Sequence, residues 1–208
     1  MLLQTATPGQ LSECLLDWMR ERRSIRRYRL DALPDGLVER LLEAARWAPS
    51  AHNRQPWRFA VLDGERKAFL ADAMGRRLRA DRLADGDAPQ DIERDVARSR
   101  ARIAGAPAVI AVALTLADMD RYADARRTEA ERLMAVQSTA MAVQNLLLLA
   151  HAEGLAACWM CAPLFCPDTV SAALDLPHDW EPQALVTLGY PQTPGRRRER
   201  RAVAEFVR

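Results

Sequence analysis

The spacing of apolar residues predicts an alternation of helices and short strands along the chain. Helices are expected where apolar residues recur every three or four positions, and strands where they alternate or form a short continuous run. The predicted helices cover residues 11–22, 34–47, 65–82, 91–104, 128–153 and 168–174, and the predicted strands cover 57–62, 108–114, 156–161 and 183–190. This order indicates an α+β fold rather than a regular βαβ alternation.

Two segments are predicted to shape a site rather than the core. Prolines bound residues 49–56, which predicts a loop, since a helical residue is disfavoured immediately before proline. Residues 65–104 carry two weakly patterned helices separated by a polar break. Surface segments of this kind often set specificity by their local shape, so this region is expected to form a lid or channel wall.

The predicted helix at 128–153 is free of proline and glycine, and its second half is apolar nearly all round. Such a helix is buried on more than one side. In a chain of 208 residues, part of that cover is expected to come from a second subunit. Burial in the core alone is the alternative, and the pattern leaves both open.

Length, charge and hydropathy narrow the class of protein. With 49% hydrophobic and 28% charged residues, the chain has a globular composition, and we interpret residues 1–208 as one domain. A net charge of +2 gives no reason to expect nucleic acid or a membrane as a partner. No uninterrupted apolar run reaches the roughly 18 residues of a membrane helix. Because the N-terminus lacks a signal-peptide pattern, the expected location is the cytoplasm.

Arginine dominates the basic residues, and this constrains any anion site. Lys67 is the only lysine among 30 basic residues, so such a site must use guanidinium groups, which bind phosphate through a planar fork of donors. One candidate follows the first predicted helix, where residues 22–27 read R-R-S-I-R-R. The alternative is a solvated basic helix end that complements the helix dipole.

A second candidate is the proline-bounded loop, which reads A-P-S-A-H-N-R-Q-P-W at residues 48–57. Its hydroxyl, amide and backbone groups are suited to the edge of a flat heteroaromatic ring. A purely structural turn is the alternative, because proline, serine and asparagine are ordinary turn residues.

Other nucleotide and metal motifs are weak or missing. No glycine-rich phosphate loop of the Rossmann or P-loop type follows a predicted strand. His151 with Cys158, Cys161 and Cys166 offers one C-x-x-C spacing, which is a poor signal for zinc. We therefore predict no metal site and expect the thiols to pack as small apolar side chains.

Taken together, the motifs resemble the nitroreductase family. R-R-S-x-R followed about two dozen residues later by A-P-S-x-x-N-x-Q-P-W is similar to that family's N-terminal signature. The resemblance continues in Q-N-L-L-L-L-A at 144–150, in L-G-Y-P at 188–191 and in an arginine-rich tail. It implies a nitroreductase-like α+β fold, with a central mixed but mostly antiparallel sheet flanked by helices. It also implies an intertwined homodimer with interfacial active sites.

The resemblance implies bound FMN and ping-pong hydride transfer from NADH or NADPH to a small acceptor. No catalytic side chain is expected, because the flavin carries the chemistry. The residues implied at the phosphate and ribityl chain are Arg22, Arg23, Ser24 and Arg26, with Arg198 or Arg200 from the tail. Those implied around the ring are Pro49, Ser50 and Asn53 from the other subunit, backbone groups of Pro163 and Leu164 near N5, and Gln137, which is implied at either the ring or the ribityl chain.

The acceptor stays open at this point: a nitroaromatic, a quinone or a similar compound. A finer resemblance, in segments such as L-P-H-D-W-E-P at 176–182, is to the flavin domain fused to a glutamate ligase in deazaflavin coenzyme biosynthesis, which reduces a dehydro precursor. A non-catalytic flavin-binding protein of the same fold is also compatible with the motifs. So is an unrelated protein whose arginines bind an acidic partner.

Overall fold

Four antiparallel strands form the sheet at the centre of the fold, in the order β1-β2-β4-β3. The structure is a computed structural model that describes residues 7–208. The strands are β1 (Trp57–Leu62), β2 (Ala108–Leu114), β3 (Ala156–Met160) and β4 (Glu181–Gly189). All three strand pairings are antiparallel, and an isolated parallel bridge joins Ser24 to Ala157. The predicted mostly antiparallel sheet is confirmed.

Helices cover both faces of this sheet. In chain order they are α1 (Pro8–Glu21), α2 (Leu37–Arg46), α3 (Gly64–Ala84), α4 (Pro89–Ala104), α5 (Ala125–Ala152) and α6 (Pro167–Leu174). Helices α2 and α5 pack on one face through residues such as Leu41 and Leu146. Helices α3, α4 and α6 pack on the other through residues such as Leu70, Ile103 and Val170.

The two central strands explain the apolar runs in the sequence. Every residue of β2 is buried, and β4 is buried beyond its first residue, because each lies between two strands and two helix layers. Burial on both faces requires a nearly continuous apolar sequence instead of alternation.

Two predicted helix starts were displaced by local backbone chemistry. The helix predicted to start at residue 11 begins at Pro8, because the Thr7 hydroxyl accepts from the Gln10 amide in a reciprocal capping box. Helix α2 begins at Leu37, because the preceding Gly36 has a left-handed backbone conformation with φ 77° and so lies outside the helix. A residue with a side chain rarely adopts this conformation.

The weakly patterned region at 65–104 forms the hairpin of α3 and α4. Its inner sides bury Met74 and Ile92, while ion pairs such as Arg79–Glu93 at 2.6 Å join the outer sides. Charged residues therefore cover an interhelical contact, which is why the apolar pattern in the sequence is faint. Whether the hairpin borders a substrate channel stays a prediction.

Within residues 7–208, one helix, α5, is long and apolar enough to cross a membrane. Polar residues interrupt its apolar sequence, so it contains no continuous apolar run of about 18 residues. Its buried residues, including Val143 and Leu146, pack against α2 and the sheet. The composition of α5 is therefore accounted for by its position in the core.

Candidate active site

An arginine-rich segment, residues 22–29, is fixed along the β3 edge of the sheet. Ser24 bridges Ala157 at the start of β3, and Tyr28 bridges Pro191 just after β4. The buried Tyr28 hydroxyl lies 2.7 Å from the Thr187 hydroxyl. Backbone bonds continue the contact, since the Arg29 amide donates to the Tyr190 carbonyl at 2.9 Å. The segment is thus held by the sheet and is not a freely solvated helix end.

The C-terminal tail returns to this segment at Gly195. A Cβ at this position would lie 2.5 Å from Cβ of Arg23, closer than side-chain atoms approach, and in a tight contact of 3.1 Å with Cγ1 of Ile25. Only a residue without a side chain lets the tail pass so near. The arginines after Gly195 are thereby brought against those that follow α1.

Together these two stretches line one crevice of about 960 Å³. Eight arginines and one acidic residue, Glu199, line it. Arg20 pairs with Asp17 at 3.0 Å, and the other seven form no ion pair within the described part of the chain. These seven are Arg22, Arg23, Arg26, Arg196, Arg197, Arg198 and Arg200, and Met19 and Ser24 complete the wall. We call this cavity the arginine crevice.

Burial, and secondarily the positive charge of neighbouring arginines, lowers pKa values in and beside the arginine crevice. Partial burial lowers the pKa of Arg22, and the positive charge of Arg200 lowers it further. Burial likewise lowers the pKa of His151, with smaller contributions from Arg22 and Arg23. A bound anion would stabilise the charged form of each of these groups, so the electrostatics of the crevice favour binding of an anion.

A smaller crevice of about 330 Å³ adjoins the first and shares Arg26 with it. Arg27, Arg98 and Arg102 also line it, and no acidic residue does. Burial lowers the pKa of Arg102, and Arg26 adds to the effect. Positive charge therefore extends beyond the first crevice along α4.

The proline-bounded loop lies apart from the arginine crevice. It forms a short 3-10 turn, Ala51–Asn53, in which His52 and Asn53 have positive φ values of 49° and 54°. The Ser50 hydroxyl accepts from the Gln55 amide at 3.0 Å and closes the turn. Pro49 and Asn53 line a separate cavity of about 530 Å³ beside the exposed Trp47.

The remaining predicted ring contacts are also dispersed. Gln137 is exposed on α5. Pro163 is buried and Leu164 is half exposed on a 3-10 turn, Ala162–Phe165, that follows β3. The Leu164 amide already donates to the Cys161 carbonyl at 3.0 Å.

One chain therefore unites the six predicted phosphate and ribityl residues, but not the six predicted ring residues. Sequence reasoning missed Arg196 and Arg197 in the wall of the arginine crevice, and Arg98 and Arg102 beside it. The Arg196–Arg198 run was visible in the tail, but its register was ambiguous. The two arginines of α4 gave no signal, because a charged helix face is ordinarily solvated.

None of the four cysteines lines either arginine-rich crevice, although Cys158 lies close enough to Arg26, Arg102 and Arg22 to interact with their charges. All four are free thiols, and the Trp159 indole N–H contacts Cys161 Sγ at 2.9 Å. Across residues 7–208, no group of three or more His, Cys, Asp and Glu side chains is placed to hold a metal ion.

The chain is similar to proteins of a known family in both sequence and structure. A sequence model of the Nitroreductase family matches residues 19–190. The chain is 35% identical over 184 residues to a 5,6-dimethylbenzimidazole synthase of Rhodospirillum rubrum, covering 86% of this chain and 82% of that protein. It is 32% identical over 200 residues to an NADH dehydrogenase of Thermus thermophilus, covering 84% and 85%. A nitroreductase-type structure from Desulfovibrio desulfuricans, solved with FMN, superimposes with a TM-score of 0.72 at 30% identity and covers 98% and 96%.

Proposed function

The chain belongs to the nitroreductase family, and from this premise we propose that it is an FMN-dependent oxidoreductase. In this proposal it transfers hydride from NADH or NADPH to a small acceptor, such as a nitroaromatic or a quinone, by a ping-pong mechanism. The arginine crevice carries the proposal, because two stretches far apart in sequence meet there and bring together seven arginines that form no ion pair within residues 7–208. The FMN held by the Desulfovibrio relative and the NADH named for the Thermus relative support it.

The residues present fit a phosphate dianion. Guanidinium groups bind phosphate oxygens through paired, charge-assisted hydrogen bonds. Arg22 and Arg200 both line the arginine crevice and repel each other, as the lowered pKa of Arg22 indicates. A dianion between them replaces this repulsion with attraction. We assign the phosphate to Arg22, Arg23, Arg198 and Arg200.

Beyond the phosphate, the chain supplies hydrogen bonds and positive charge. The Ser24 hydroxyl is assigned to the ribityl chain, since Ser24 lines the arginine crevice and is fixed to β3. Arg26 stands between the two adjoining crevices and is assigned to the junction of ribityl chain and ring. FMN, when bound, supplies hydride acceptance and donation, so the protein needs to position and cover it.

A homodimer completes the site in this proposal. Pro49, Ser50 and Asn53 lie away from the arginine crevice of their own chain, so their assignment to the ring requires the partner subunit. The same holds for Gln137. Pro163 and Leu164 are assigned to the ring edge of their own subunit. The proposed compartment is the cytoplasm, where the four free thiols would stay reduced.

A second candidate function is synthesis of 5,6-dimethylbenzimidazole. The 35% identity to the Rhodospirillum rubrum enzyme over most of both chains favours it. The two functions are separated by their products. Incubation of the protein with FMN, NADPH and air, followed by mass spectrometry, yields 5,6-dimethylbenzimidazole only in the second case.

The assignments of Arg22 to the phosphate and of Arg26 to the junction of ribityl chain and ring are tested together by Arg22→Ala combined with Arg26→Ala. Loss of two charge-assisted contacts, each of roughly 1.5–3 kcal/mol, should weaken FMN binding by at least about a hundredfold. The matched control is Arg94→Ala with Arg127→Ala, which removes two exposed, ion-paired arginines outside the arginine crevice. FMN released by heat is measured by fluorescence, and folding by circular dichroism.

Full FMN occupancy in the Arg22/Arg26 variant would contradict the assignment of the phosphate to Arg22 and of the ring junction to Arg26. Protein that takes up no FMN and oxidises neither NADH nor NADPH would contradict the enzyme proposal. Protein that retains FMN but reduces no nitroaromatic, quinone or deazaflavin precursor would indicate a non-catalytic flavin-binding protein.

A further inference from the structure

A second open cavity, of about 950 Å³, lies at the opposite end of the central strands from the arginine crevice and shares no residue with it. The end of β2, the start of β4, the first turns of α5 and the start of α6 form its walls. The wall contains many apolar side chains, among them Leu114, Leu116, Met119, Trp180 and Pro182. We call it the distal cavity. Its size is that of a cavity for a small organic molecule.

Glu131 is the unusual residue of this cavity. It lies on α5, is 7% exposed and lines the cavity wall. One carboxylate oxygen accepts a long hydrogen bond of 3.3 Å from the Asp120 amide, and the other oxygen has no protein donor within residues 7–208. No arginine, lysine or histidine pairs with it in that part of the chain.

The other acidic groups of the distal cavity are already satisfied. Arg54 pairs with Asp120 at 2.7 Å, Arg77 with Asp168 at 3.1 Å, and Arg132 with Glu181. The Thr115 hydroxyl donates to Asp179 at 2.6 Å. The basic groups of the wall, Arg121 and His178, are exposed and contact none of these carboxylates. Glu131 is thus the buried carboxylate left without a cation.

We propose that the distal cavity binds a small organic amine, whose ammonium group pairs with Glu131 and whose apolar body fills the space beside Met119 and Trp180. A buried carboxylate is costly unless a cation or several donors satisfy it. An ammonium group supplies both the opposite charge and the donors. The apolar wall selects an amine with a hydrocarbon or aromatic body over a hydrated metal ion. This site is independent of the proposed flavin site.

Three probes of matched shape test the proposal: 2-phenylethylamine, 2-phenylethanol and 3-phenylpropanoate. Binding to the purified protein, as isolated, is measured by calorimetry at millimolar ligand and low salt. The amine should bind saturably, the alcohol at least about tenfold more weakly, and the carboxylate not at all, since a hydrogen bond to a charged group contributes roughly 1.5–3 kcal/mol.

Glu131→Gln should weaken binding of the amine by at least about tenfold and leave binding of the alcohol nearly unchanged. The matched control is Glu129→Gln, which removes an exposed carboxylate two residues away on the same helix and outside the cavity wall. FMN occupancy is recorded for each variant and is expected to stay constant. Loss of FMN in all variants would count against the proposed flavin function, whereas the amine-binding measurements would still test the amine proposal.

Equal binding of the three probes, no saturable binding of the amine, or equal effects of the two glutamine variants would each overturn the proposal. Should Glu131→Gln fail to fold, saturation-transfer NMR on the unaltered protein decides. Amine protons close to those of Met119 and Trp180 support the site, and their absence contradicts it.

Discussion

At the scale of single residues, the surroundings of a charged group matter more than its type. Arg94 and Arg22 are both arginines near a helix, yet Arg94 pairs with Asp91 at 2.7 Å while Arg22 lies near Arg200 without an acidic partner. An exposed pair of the first kind contributes little to stability. An unpaired cluster of the second kind lowers stability until an anion enters, so it indicates a binding site.

His151 should report on occupancy of the arginine crevice. Its pKa lies below 6.5 because of burial and, secondarily, the charge of Arg22. An anion beside Arg22 offsets that charge, so FMN or inorganic phosphate should raise the pKa of His151. NMR titration of the three histidines measures this, with His52 and His178 as internal references outside the crevice.

The sign for stability follows from the same pKa. Unfolded His151 takes up a proton more readily than folded His151. The free energy of unfolding of the FMN-free protein therefore decreases as pH falls below about 6.5, the ordinary pKa, toward the lowered pKa of the folded protein. His151→Gln should remove that part of the pH dependence. A pKa of His151 that does not move with saturating phosphate would argue against an anion near Arg22.

At the scale of elements, the tail after β4 decides whether the arginine crevice closes. Its only regular structure is a short 3-10 turn, Val203–Glu205, so its path depends on contacts with residues 22–29. The approach at Gly195 is the tightest of these contacts. A backbone hydrogen bond from the Gln192 amide to the Arg27 carbonyl, at 3.1 Å, fixes the start of the tail, and the close fit at Gly195 constrains its path beyond.

Gly195→Ala should therefore move the tail and open the crevice. The added Cβ would lie 2.5 Å from Cβ of Arg23, so the backbone must shift. We expect FMN affinity to fall about tenfold or more, an effect of roughly 1–3 kcal/mol as for other overpacking changes, with little change in Tm because the tail is exposed. Fluorescence titration with FMN measures it.

Gly64→Ala is the matched control for that substitution, since a Cβ there meets nothing within 4 Å. If both variants bind FMN equally well, the tail arginines contribute nothing to the site.

At the scale of the whole molecule, one chain leaves substantial apolar surface uncovered. Helix α1 buries none of its residues, and Trp18 remains 49% exposed. On α5, Leu133 and Met141 are 52% and 41% exposed, on either side of Gln137 along the same face. In the proposed homodimer, a second copy of the chain would cover this surface and bring the proline-bounded loop to an arginine crevice.

Met141→Glu should dissociate the homodimer and reduce FMN retention together. A carboxylate in an apolar interface loses hydration without gaining a partner. Size-exclusion chromatography with light scattering gives the mass, and released flavin gives the occupancy.

Leu83→Glu, on the exposed side of α3 where Leu83 is 53% accessible, is the control for charge alone. A Met141→Glu protein that stays dimeric, or a monomer that keeps its FMN fully, would contradict an interfacial site.

The sequence by itself determined the elements, because period and breakers are local. Strands β1 and β2 lie where alternation and the apolar run predicted them, and α5 ends before Gly154 as expected. The phosphate-binding candidates after α1 were also readable, because the R-R-S-x-R motif is contiguous. Helix boundaries were less accurate, since Thr7 and Gly36 act through capping and backbone conformation rather than through hydrophobic period.

Only the tertiary structure decided which distant groups meet. Nothing local places Gly195 against Arg23, sets Arg98 and Arg102 beside Arg26, or buries Glu131 in an apolar cavity. These outcomes depend on strand order and helix packing, which are set by the sum of many weak contacts across the chain. Charge and burial at a site are properties of that arrangement, so the residue letters alone do not contain them.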